Sequence, residues 1–206
     1  MPQLPNSFSM RHPDPQLVVV AGPNGAGKST LAPYLLRGEY KLSEYVNADR
    51  IALGLSGFEA QQNAAIEAGR VMINRMRNLA NMRASFAFET TMASRSFAPW
   101  ISGLVETGYR VHILYIWLRT PELAIERVGA RVRAGGHSVD AEVVKRRYKR
   151  GIMNFFGLYR PIGNTWAVYD NSVSGEPILI AEKSKNKGAD KIHRQDLWTR
   201  FCHTNK

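Results

Sequence analysis

Cysteine is almost missing from this chain: Cys202 is the single one in 206 residues, which excludes an internal disulfide framework and a cysteine-rich metal site. Long apolar runs are missing too. None approaches the ~20 residues that a membrane-spanning helix needs, and the opening stretch "MPQLPNSFSMRHPDPQ" lacks the apolar centre of a secretory signal. These absences predict a cytoplasmic protein with no membrane partner. Acidic side chains are scarce, 17 against 28 lysines and arginines, which leaves a net charge of +11. Such a balance suits nucleic acid or small polyphosphate ligands. No RNA-binding aromatic signature, zinc-finger spacing or helix-turn-helix pattern accompanies the charge, so nucleic acid is not the expected partner. No repeat or low-complexity segment interrupts the chain.

What is present is an alternation of apolar, β-rich runs with helical patterns. The runs are "LVVVA" (17–21), "EYVNAD" (44–49), "SFAFETT" (85–91), "VHILYIWL" (111–118), "WAVYDN" (166–171) and "PILIA" (177–181). Helical patterns fall near 28–37, 58–83, 94–107, 121–133 and 140–159. Strand-helix alternation predicts an α/β three-layer sandwich, here with a mostly parallel sheet of five or six strands. Residues 1–16, with four prolines, read as an extended arm. Residues 17–183 read as one domain, and 184–206 as a basic tail, either mobile or a docking segment. Thr120 before Pro121, and Asp140, are placed to cap helices. Pro161 should stop the last one, and Pro33 should distort the first.

The stretch "VVVAGPNGAGKSTL" (18–31) carries Gly22, Gly27, Lys28 and Ser29 in the order G-x-x-x-x-G-K-[ST], between a strand pattern and a helix pattern. This is a P-loop. Its amides and the following helix N-terminus cradle phosphates, so Gly22, Asn24, Gly25, Ala26, Gly27, Lys28, Ser29 and Thr30 are the candidate contacts for ATP or GTP. Lys28 would reach the β- and γ-phosphates, and the Ser29 hydroxyl would hold Mg²⁺.

Ligands in open parallel sheets bind beyond the carboxyl ends of the strands. There this sequence places Asn47 with Asp49, Glu89 with Thr90 and Thr91, Arg119 with Thr120, and Asp170 with Asn171. Asp49 and Glu89 are the candidates for accepting a proton or holding Mg²⁺. Helix capping or pairing with an arginine is the plainer alternative for each. Asp170 is balanced between a turn role and a place beside the nucleotide. Arg127 and Arg131 share a helix face, Arg133 follows, and "AGGH" comes next, which suits a helical lid over about 127–140 that closes on the phosphates. His137 reads as a polar loop residue.

Two other P-loop or glycine-rich readings fail on spacing. "LSGFEAQ" (55–61) is only superficially like the signature of transporter ATPases: it follows the P-loop too soon, and the strand "ILYIWLRT" does not end in an acidic pair. A dinucleotide-binding turn would need a glycine where Lys28 and Ser29 stand.

Taken in order, "GPNGAGKST", "VNADRIA" (46–52), "FETT" (88–91), "AIERV" with "RVRAGGHSVDAEVVKRRY" (124–148) and "YDNS" (169–172) resemble the zeta toxin family of P-loop kinases across about residues 17–182. The resemblance implies Asp49 as catalytic base, Glu89 as the substrate-contacting glutamate with Asn47 and Thr90 beside it, and Arg127 as a lid arginine. The second phosphate-contacting arginine falls to Arg131 or Arg133, with His137 occupying similar space. The implied reaction is phosphorylation of UDP-N-acetylglucosamine at the sugar 3'-hydroxyl, and the implied partner an antitoxin that obstructs the nucleotide site. A P-loop kinase for another small molecule, or a nucleotide-gated nucleic-acid-binding protein, are the alternatives.

Overall fold

The structure is a computed structural model that describes residues 14–38, 40–55, 61–136, 138–183 and 190–204. Five strands run parallel: β1 (Gln16–Ala21), β2 (Tyr45–Val46), β3 (Phe86–Thr90), β4 (Arg110–Trp117) and β5 (Thr165–Asp170). Two more, β6 (Ile178–Glu182) and β7 (Lys191–Ile192), pair antiparallel at one edge, giving the order β2-β3-β1-β4-β5-β6-β7. The sheet therefore has seven strands, not the five or six expected. The short link from β5 to β6 leaves no room for a crossover helix, so that pair must be antiparallel.

Central β1 has no exposure from Leu17 to Ala21, as expected of a parallel strand covered on both faces. Its side chains alternate between two cores. Val18 and Val20 meet Ala32 and Leu36 of α1 (Lys28–Gly38), a helix that continues through Pro33. Leu17, Val19 and Ala21 face the larger core. That core is closed by α3 (Gln61–Asn81), α4 (Phe97–Glu106), α5 (Pro121–Arg133) and α6 (Ala141–Asn154), which contribute Met76, Ile101, Val128 and Tyr148 respectively. Among the described residues no helix is long and apolar enough to cross a membrane.

Three local expectations change. The run 44–49 shortens to a two-residue strand, because Asn47 turns the chain into α2 (Ala48–Leu55). After α6 the helix does not stop before Pro161. A π-helical turn (Phe155–Tyr159) leads into α7 (Arg160–Ile162), where Pro161 sits in a first turn that needs no N–H from it. Most consequentially, the segment after 183 is no free tail. Residues 184–189 lie outside the described set, but 195–203 form α8 (Gln195–His203), which buries Leu197, Trp198 and Phe201. Trp198 stacks on Trp166 with ring centroids 5.6 Å apart, and Phe201 meets Tyr115, Trp117 and Phe155. Three large apolar side chains on one face outweigh the charge around them. Of the arm expected over 1–16, residues 1–13 lie outside the described set and Gln16 already opens β1.

Candidate active site

The carboxyl ends of β1, β2 and β3 open on one cavity of ≈ 360 Å³, floored by the 22–30 loop. The glycines there are dictated by geometry. Gly22 has φ +142°, and a Cβ on it would lie 2.1 Å from the Ile116 carbonyl oxygen of β4. Gly27 has φ +83° and packs against Asn171, whose side-chain amide donates to the Ala26 carbonyl at 2.8 Å. The loop is thus braced from outside before any ligand enters.

Lys28 is 6% exposed. Its ammonium donates to the Pro23 carbonyl at 2.9 Å and lies 3.6 Å from Glu89 Oε1. Burial pulls its pKa below the usual lysine value, opposed first by the Glu89 charge and then by that of Asp49. Glu89 is held from several sides: its Oε2 accepts from Ser29 Oγ at 2.8 Å, Asn47 Nδ2 at 2.7 Å and the Tyr45 hydroxyl at 2.5 Å. Burial, reinforced by the Glu89 charge, raises the Tyr45 pKa, so its proton stays in place. Asn47 does double duty. Its Oδ1 accepts from the Arg50 amide at 3.2 Å, starting α2.

That cap sets Asp49 in the first turn of α2, at the cavity wall, where the helix dipole favours a negative charge. Its side chain is 63% exposed, and among the described residues it has one long ion pair, 3.7 Å to Arg131 of α5. α5 begins as the sequence predicts, with Thr120 Oγ1 accepting from Leu123 N at 3.2 Å. Farther along, the Arg127 guanidinium donates to the carbonyls of Asn171 at 2.7 Å and Ser172 at 3.1 Å. Asp170, fully buried, pairs with Arg119 at 2.8 Å and accepts from the Ser172 amide at 3.0 Å. It therefore organises the turn that carries Asn171. Among the described residues no cluster of three or more histidines, cysteines or acids could hold a metal by itself. Ser29 Oγ and the Glu89 carboxylate beside it are two adjacent hard oxygens that suit a divalent cation.

Residues 5–158 match the zeta toxin family. The chain belongs to that family. Its fold is the P-loop kinase-like fold of that family. A Haemophilus influenzae relative, described as an uncharacterized protein, is 30% identical over 131 residues, 64% of this chain and 91% of its own. The fold is also that of the AvrRxo1-ORF1:AvrRxo1-ORF2 complex solved with sulphate ions, with a TM-score of 0.73, 16% identity, and 91% of this chain matched to 63% of that one. The same assembly solved with ATP gives 0.73 at 15% identity. This chain thus spans less than two thirds of that protein. The PezAT chromosomal toxin-antitoxin system of Streptococcus pneumoniae gives 0.60 at 15% identity, covering 86% of this chain and 75% of that one.

For a zeta toxin family kinase the placement of the sequence candidates is instructive. Asn24, Gly25, Gly27, Lys28, Ser29 and Thr30 line the cavity, while Gly22 and Ala26 lie beneath it as framework. Asn47, Asp49, Glu89, Thr90, Arg127 and Arg131 line it as well. Arg133 does not, being exposed on α5, since two residues past Arg131 it points about 200° away around the helix. His137 lies outside the described residues. Two contributors were missed. Tyr45 was hidden in a strand-like run, and Arg147 of α6, which lines the cavity, was one charge among many in "KRRYKR". It stands three residues after buried Val144 and four before buried Gly151, and that helical spacing was the available signal.

Proposed function

We propose that this zeta toxin family kinase transfers the γ-phosphoryl group of ATP or GTP to a sugar hydroxyl of a nucleotide sugar such as UDP-N-acetylglucosamine. The observation that carries the reading is the cavity itself, where a P-loop lysine and a largely unencumbered carboxylate, Asp49, face one space. Lys28 and the loop amides take the triphosphate. The acceptor oxygen attacks the γ-phosphorus in line, its proton passes to Asp49, and the bond to the bridging oxygen breaks to release the nucleoside diphosphate. Asp49 suits this role better than Glu89, whose Oε2 already accepts three hydrogen bonds. Glu89, with Asn47 and Thr90, orients the acceptor edge. Arg127 and Arg131 offset the charge of the transferring group. Ser29 Oγ and Glu89 fit Mg²⁺, which supplies electrostatic stabilisation of the phosphates when bound.

The PezAT system pairs a toxin with an antitoxin, and the AvrRxo1 structures hold two different chains. By extension, an antitoxin that covers the nucleotide site is the proposed partner here. The test is mass spectrometry of UDP-N-acetylglucosamine after incubation with the protein and Mg-ATP, with Lys28→Ala as blank. A product heavier by one phosphate, absent from the blank, is expected. No product, alongside calorimetrically intact ATP binding, would overturn the acceptor and leave the kinase.

A further inference from the structure

Among the described residues four cationic side chains line the cavity: Lys28, Arg127, Arg131 and Arg147. Three are engaged within the protein. Lys28 lies against Glu89 and the Pro23 carbonyl, Arg127 holds two backbone carbonyls of the turn after β5, and Arg131 pairs with Asp49. Arg147 differs, since among the described residues it has no hydrogen bond or ion pair, although it is half-buried. A guanidinium held at a cavity wall without a counter-charge is poised for an anion brought from outside.

The two arginine-bearing helices serve different walls. α5 packs against the P-loop, since a Cβ built on Gly25 would lie 3.1 Å from Arg127 Cβ. α6 packs instead against the loop after β3. A Cβ on Gly151 would come within 2.6 Å of the Thr91 carbonyl oxygen, and Asn154 Nδ2 donates to the Met92 carbonyl at 2.9 Å. Arg147 is one helical turn before Gly151 and so shares its face, the one turned to Thr90 and Thr91. α6 is also fixed to the end of β4, where the Tyr148 hydroxyl donates to the Leu118 carbonyl at 2.7 Å and accepts from Trp117 Nε1 at 3.0 Å. Arg147 therefore belongs to the part of the cavity wall that α6 forms with the loop after β3, beside Thr90 and Thr91.

We infer that Arg147 anchors an anionic group of the acceptor, so that the enzyme selects phosphorylated acceptors over their neutral counterparts. The inference rests on the kinase reading proposed above and assigns Arg147 a part in specificity, separate from the arginines of α5. A phosphate bound at Arg147 fixes one end of the acceptor while its hydroxyl is presented to Asp49. Nothing in the step of phosphoryl transfer itself requires Arg147.

The experiment measures binding of UDP, by calorimetry, to protein saturated with a non-hydrolysable ATP analogue, together with acceptor kinetics. Arg147→Met should weaken UDP on the order of 10- to 100-fold, the loss expected for a charge-assisted bidentate contact. The affinity for the analogue should change by less than about twofold, since its contacts lie on the other wall. Arg147→Lys, which keeps the charge and loses the fork, should fall between. Loss of analogue affinity with unchanged UDP binding would overturn the inference, as would no binding of UDP to the loaded wild type. UDP binding through Arg147 without phosphorylation of UDP-N-acetylglucosamine would overturn the acceptor named earlier and leave the anchor. Phosphorylation with an acceptor KM indifferent to Arg147→Met would do the reverse.

Discussion

Glu89 on β3 and Asp49 in the first turn of α2 face the same cavity, yet their surroundings are opposite. Glu89 is 12% exposed, lies 3.6 Å from Lys28, and takes three hydrogen bonds on one oxygen. Asp49 is 63% exposed and, among the described residues, has a single pair at 3.7 Å. A carboxylate held by three donors is fixed in position, whereas one exposed on a helix's first turn has oxygens open to an incoming hydroxyl. Placement at a strand end made both candidates, and only their partners separate them.

Four measurements can break or sharpen that contrast, the largest effect first. Asp49→Asn should lower kcat by about 10²- to 10⁴-fold, with calorimetric ATP affinity nearly unchanged and stability within about 0.5 kcal/mol. Normal turnover in this variant would remove Asp49 from the chemistry. Glu89→Gln should show another pattern, a stability loss of about 1–3 kcal/mol in urea denaturation, because Lys28 and three donors lose a charged acceptor. If Glu89→Gln were silent in denaturation while Asp49→Asn unfolded the protein, the contrast would be inverted.

Tyr45→Phe probes the lock alone. It removes one of the donors to Glu89 and should cost about 0.5–1.5 kcal/mol, with a turnover change of a few-fold at most. The smallest effect concerns alkaline stability. Burial raises the Tyr148 pKa from 10.0 to about 12, so the folded chain keeps this proton where the unfolded chain loses it. Its contribution to stability is whole below pH 10 and is lost as pH rises through about 12. Tyr148→Phe should therefore flatten the decline in urea midpoint across that interval, leaving the contrast between the carboxylates untouched.

How far the molecule was legible in its sequence depended on how local each cause is. The P-loop was readable because its glycines answer a backbone demand written within nine positions. The parallel strands were readable because continuous burial leaves continuous apolar runs. α2 was not, since "EYVNAD" has strand-forming residues and the helix starts only because Asn47 caps it while tying itself to Glu89, 42 residues away. α8 was obscured by the six lysines and arginines of 184–206, of which only Arg200 lies in the helix. Helical spacing put Arg127 and Arg131 on one face, and both line the cavity, while Arg133, read only from its place near the helix end, does not. Arg147 required knowledge that α6 leans on the loop after β3, a contact between segments 60 residues apart.

The stacked Trp166 and Trp198, with planes 9° from parallel, lend the molecule an optical property. Two indoles in such register couple their electronic transitions, so the near-ultraviolet circular dichroism of the pair reports whether α8 is docked on the sheet. The pair sits by the start of β5, whereas the cavity at the P-loop opens beyond the far ends of the parallel strands. The signal should therefore remain steady through nucleotide titration and vanish only as the last helix lets go.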